Sequence, residues 1–152
     1  MIFVLALLIG VVAGLRAMMA PAAVAFAARF GSLALAGTPL AFMGYAWTPW
    51  ILGIAALGEL ISDQLPSTPS RKSPVQFGTR VVTGALSGAC IGAAHDALVI
   101  GLVAGAIGAV LGTLGGSAMR TKMAAAFRSD RAAAIVEDVV AIALAALVVF
   151  FA

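Results

Sequence analysis

The chain has 152 residues, 63% of them hydrophobic and 10% charged, against about 25% charged in an average soluble domain. Its mean hydropathy is +1.15. A soluble chain of this length has too much surface for its volume to hide that apolar area, so lipid is the expected solvent. The formal net charge of +3 then belongs to short cytoplasmic loops rather than to a nucleic-acid surface.

The length permits a single domain of about five transmembrane helices at roughly 20 apolar residues each. The first apolar stretch runs from Ile2 to Phe30. No Lys or Arg precedes it, and Arg16 stands where a signal peptide would carry its small-residue cleavage site, so it reads as a retained span. It is longer than one crossing needs and contains Pro21, which predicts a tilt, kink or break there. Arg16 lies roughly 21 Å along it, at about 1.5 Å per residue. A guanidinium at that depth is a functional suspect, because an intramembrane charge costs several kcal/mol unless it is paired or hydrated.

The second span, Ala46 to Leu65, opens with Thr48-Pro49, a capping residue before a helix-starting proline, and stops at Pro66. Tyr45, Trp47 and Trp50 mark its interfacial end. Glu59 and Asp63 stand four apart and share a face. A basic loop over 66–80 follows, in which Ser67, Thr68, Ser70, Arg71 and Lys72 are candidates for holding an anionic headgroup. A merely solvated connection is the plainer reading of the same residues.

The stretch from Val81 to Ala118 would measure roughly 57 Å as one helix at about 1.5 Å per residue, too long for a single crossing. It must turn at Ala94-His95-Asp96, which gives spans at 81–94 and 97–123. Gly84, Gly88 and Gly92 on the one, and Gly101, Gly105, Gly108 and Gly112 on the other, lie at helical spacing. They predict close backbone packing between these two helices. Gly115-Gly116-Ser117 is the candidate for a helix break that exposes carbonyls. A second basic loop, 124–131, leads to the last span, Ala132 to Phe151, which carries Glu137 and Asp138 near its start. Cys90 is the lone cysteine, a packed thiol with no disulfide or metal role.

With this count, Arg71, Lys72, Arg80, Arg120, Lys122, Arg128 and Arg131 fall on one side and only Arg29 on the other. The bias places the N-terminus inside and the C-terminus outside. The segment Gly14-Leu15-Arg16-Ala17-Met18-Met19-Ala20 faintly echoes Gly116 to Ala124. Because the first and fourth spans run antiparallel in this topology, a true repeat would be inverted.

The chain also resembles a known group. Gly-Leu-Arg-Ala near the start, the block from Gly58-Glu59 to Ser70-Arg71, Phe77-Gly-Thr-Arg80 with its glycine-rich helix, and Glu137-Asp138 look like bacterial membrane proteins of the family domain of unknown function 4126. The resemblance covers nearly the whole chain and implies a helical protein of the bacterial inner membrane, without implying a reaction.

Function stays open between classes. The residues contain no two-histidine metal motif, no phosphate loop with a lysine and no nucleophile elbow, so no enzyme, metal or cofactor is expected. The leading expectation is a small transporter or channel, as a homodimer, passing a small polar or anionic solute. Arg16, Glu59, Asp63, Arg120, Glu137 and Asp138 are its candidate solute or proton site. In the rival reading the chain is a non-transporting scaffold or accessory subunit whose charges lock helices together. A third assigns headgroup binding to the 66–77 loop. A hydrated Arg16 favours transport; an Arg16 paired dry with carboxylates favours the scaffold.

Overall fold

The computed structural model describes residues 1–65 and 72–152. Six α-helices and one short 3-10 turn appear among them, with no strand. In order they are α1 (Ile2–Leu15), α2 (Met19–Phe30), the turn Ala41–Gly44, α3 (Thr48–Ser62), α4 (Pro74–Ala93), α5 (Leu98–Phe127) and α6 (Asp130–Phe151). α5 and α6 are long and apolar enough to cross a bilayer, whereas α1, α2 and α3 are shorter apolar helices.

The stretch expected as one span over 2–30 is therefore two helices. The chain breaks not at Pro21 but at Arg16, whose backbone is extended at φ −141°, ψ 109°. Pro21 sits in the first turn of α2, where a missing N–H leaves no hydrogen bond unmade, so it starts a helix rather than breaking one. Thr48 is also not the cap expected of it. It is the first residue of α3, and its hydroxyl donates to the Phe42 carbonyl at 2.8 Å. α4 starts at Pro74, ahead of the expected 81, and so takes Arg80 into the helix. α5 runs unbroken through Gly115-Gly116-Ser117, so the break expected there is absent. Ser129 caps α6, its hydroxyl accepting from the Ala132 amide at 3.3 Å.

Glycine sets the close packing. Side chains added at Gly84, Gly88 and Gly92 would run into Gly105, Gly101 and Ala97 in turn, so α4 and α5 are antiparallel with backbones touching. That is the contact the glycine spacing predicts. α1 is a third member. A Cβ on Gly10 would strike the Gly105 backbone, and one on Gly14 would strike Ala109 and Gly112, in rising order. α1 therefore runs parallel to α5. Backbones at this distance gain dispersion along the whole contact, which any larger residue would abolish.

These directions place Met1 at the same end as the Ala94–Ala97 turn. α6 doubles back from α5, with Arg120 reaching Asp130 and Glu137, and so carries the C-terminus to that end too. The two termini share one end of the bundle rather than lying on opposite sides as the five-span count requires. The added helix changes the parity. An inverted pairing of the chain's start with α5 fails for the same reason, because α1 and α5 point the same way.

Beyond Leu114 most of α5 is exposed, so α2 does not continue alongside it. Instead α2 turns back from the break, beside α3 and the later part of α6. Phe26 lies edge-on to Trp50 with ring centroids 5.5 Å apart. Met19, Phe26, Gly53, Leu60, Ile142 and Ala145 line one apolar groove between the three helices. Leu33, Leu35 and Met43, from the segment after α2, join Cys90 and Ile91 in the buried core. α1 and α2 thus form a V, with Arg16–Met18 at its tip.

Candidate functional site

The tip of that V needs partners because two helix ends meet there. The last carbonyls of α1 and the first amides of α2 have no intrahelical bond to make. Other helices supply the partners. Arg80, from α4, donates through Nη1 to the Gly14 carbonyl at 2.8 Å and the Leu15 carbonyl at 2.7 Å. Thr113, from α5, donates to the Ala109 carbonyl at 2.8 Å and reaches the Gly14 carbonyl at 3.4 Å. Glu59, from α3, accepts from the Ala17 amide at 2.7 Å on one carboxylate oxygen and from the Met18 amide at 2.8 Å on the other. A cation therefore sits at the C-terminus of α1 and an anion at the N-terminus of α2, the signs that both helix dipoles favour.

Arg16 itself points into the protein and is 0% exposed. Its Nε donates to Asp138 at 2.6 Å, and its two terminal nitrogens are paired with Asp63 and Asp138, with Glu137 at 3.8 Å. Asp63 caps the C-terminal end of α3 and Asp138 lies in α6, so one guanidinium bridges the V tip to both helices. Arg80, 2% exposed, adds Glu59 at 3.6 Å and Asp63 at 4.0 Å. Arg120 closes the far side. It reaches Asp130 at 2.9 Å, Glu137 at 3.6 Å and the Asp63 backbone carbonyl at 3.4 Å.

All six residues expected to form a solute or proton site, Arg16, Glu59, Asp63, Arg120, Glu137 and Asp138, therefore meet at one place. Glu59 is spent on the α2 amides, while Glu137 lies on the other side of Arg16, toward Arg120. Of the headgroup candidates, Ser67, Thr68, Ser70 and Arg71 lie outside the described residues; Lys72 is exposed. His95 stays local, its Nδ1 lying 3.1 Å from the Ile91 carbonyl.

Arg80 is the member that reading for buried charge passes over, since its place in the sequence looks like a loop. A signal was present. Arg80 precedes Gly84, Gly88 and Gly92 by whole four-residue steps, so it lies on the face that packs against α1 and α5. The carbonyls of Gly14 and Leu15 carry no sequence signal, because a broken helix end is visible only once the break is located.

The fold and the site define an all-α protein built around a discontinuous helix whose tip is held by a buried ionic network. More particularly, the chain belongs to the family described as Domain of unknown function (DUF4126), whose model matches residues 3–152. No curated protein and no solved structure matches it.

Proposed function

We propose that the chain is a multi-pass protein of the bacterial inner membrane, a non-transporting scaffold or accessory subunit in which the ionic network is a latch. Two long apolar helices and a surface carrying Val99, Val103, Ile107, Leu111, Val139 and Leu147 support the bilayer reading. The basic end, with Lys122, Arg128 and Arg131, is cytoplasmic by the positive-inside rule. Both termini then lie on the opposite side.

The observation that carries the latch is the complete burial of Arg16 among carboxylates from α3 and α6. A guanidinium serving a passing solute needs water or a path to reach it, whereas this one is buried among fixed carboxylates: Nε and Nη1 donate to Asp138 and Asp63, and Nη2, which makes no hydrogen bond, lies within ion-pair distance of Asp138 and Glu137. Glu59 is likewise engaged by two backbone amides. Charges so placed specify one arrangement of helices, because removing any of them leaves a buried partner unmatched. The test compares Glu59→Gln and Arg16→Met with wild type in detergent and in liposomes. The latch predicts a large drop in thermal midpoint and no flux of protons or small anions from any of the three proteins. Wild-type flux that Arg16→Met abolishes, with the fold intact, would remove the scaffold reading.

One observation favours the second reading, a small transporter or channel for a polar or anionic solute. Helices broken at depth, with amide and carbonyl ends gathered at one place, are how many transporters build their sites. In that reading the network is the closed state, and Glu59 occupies the α2 amides that an anionic solute would take. Flux across a broad solute panel separates the two.

A further inference from the structure

We infer that the cytoplasmic turn between α5 and α6 is a docking surface for anionic phospholipid. This rests on the membrane reading above but concerns different residues from the latch and from the 66–77 loop. α5 has 30 residues and so measures roughly 45 Å at about 1.5 Å per residue. A bilayer's hydrocarbon core is about 30 Å thick, and its full width with headgroups about 40–45 Å. If Leu98 starts at one edge of the core, the core ends near Ala118. The remainder of α5 then stands at headgroup depth. The sequence turns basic at that point, with Arg120 and Lys122 following, then Arg128 and Arg131 across the turn.

The cations of this turn divide into two kinds. Arg120 belongs to the network through Asp130 and Glu137. Lys122, Arg128 and Arg131 are exposed and make no ion pair among the described residues. The nearest acid in sequence, Asp130, is already held by Arg120. Three uncommitted cations thus sit beside exposed Met119 and Phe127, 57% and 52% accessible. Apolar side chains that dip toward acyl chains while cations meet phosphates are how interfacial segments select anionic lipid.

Full-length protein in neutral-detergent micelles is titrated with phosphatidylglycerol and, separately, phosphatidylcholine, and bound lipids are counted by native mass spectrometry. The variant carries Lys122→Gln, Arg128→Asn and Arg131→Gln together. Asn is chosen at 128 because that residue is left-handed at φ 52°, which Asn tolerates. Each surface cation is worth about fivefold in affinity for an anionic surface, so wild type should retain phosphatidylglycerol over phosphatidylcholine. The triple variant should lose at least about tenfold of that preference, with its thermal midpoint unmoved. Arg29→Gln, at the other end, should change nothing, and Arg71→Ala should leave most of the preference in place. Equal retention of both lipids by wild type, an unchanged preference in the triple variant, or loss of the preference in Arg71→Ala alone would overturn the proposal. Release of the protein from membranes by alkaline carbonate would overturn the membrane reading and this proposal together. Retention without lipid preference overturns this proposal only.

Discussion

Glu59→Gln is the sharpest perturbation of the latch. The wild-type carboxylate accepts from the Ala17 and Met18 amides, one on each oxygen, at 2.7 and 2.8 Å, with Arg80 at 3.6 Å. Gln keeps one acceptor oxygen and puts an NH2 where the other stood, so one α2 amide faces a donor. An unsatisfied buried donor costs about 1–3 kcal/mol, and losing the charge from the remaining bond costs about 1 kcal/mol more. Arg80 loses part of its compensation, which raises the total to about 3–5 kcal/mol. The Glu59 side chain is 13% exposed, so solvent screens little of this. At about 2–4 °C per kcal/mol for a chain of this size, the midpoint should fall on the order of 10 °C. The local readout is hydrogen–deuterium exchange at Ala17 and Met18, which should speed up well before global unfolding. A midpoint within about 2 °C of wild type, with both amides still protected, would refute the claim that this carboxylate caps α2.

Further outcomes follow from the same contacts. Arg16→Met should cost about 3–5 kcal/mol by stranding Asp63 and Asp138, and Asp63→Asn with Asp138→Asn should restore much of it in denaturant or thermal melts. Failure of that rescue would argue against pairing as the role of Arg16. Gly105→Ala should destabilise by about 2 kcal/mol or more, because the new methyl meets the Gly84 carbonyl. Gly58→Ala, in open space on α3, should be neutral or add up to about 1 kcal/mol. Cysteines introduced one at a time in a Cys90→Ala background should label with impermeant thiol reagent from one side at Ser32 and Ala152, and from the other at Ala125. Opposite-side labelling of Ser32 and Ala152 would contradict the shared end of α2 and α6, and with it the turning back of α2 at the V.

Several parts of this molecule are legible from residue order. Gly84, Gly88 and Gly92 face α5 because a four-residue step nearly closes one helical turn, and no later contact can alter that register. The turn at His95-Asp96 follows from length alone, since the apolar stretch around it is too long to cross once. Six of the seven buried or half-buried charges among the described residues, all but Arg80, announce themselves because an ionisable residue in an apolar run needs a partner.

The partners themselves were decided by the tertiary structure. Whether the first apolar stretch is one helix or two depends on what receives the freed backbone groups at its break. Those receivers, Glu59, Arg80 and Thr113, lie 41 to 99 residues away. Local propensity favours a break at Pro21, yet the break falls at Arg16, where carboxylates from α3 and α6 draw the side chain inward and leave the backbone extended. That single displacement turns one span into a V and brings both termini to one end. Periodicity reads faces, but a helix end is settled by the groups that other segments bring to it.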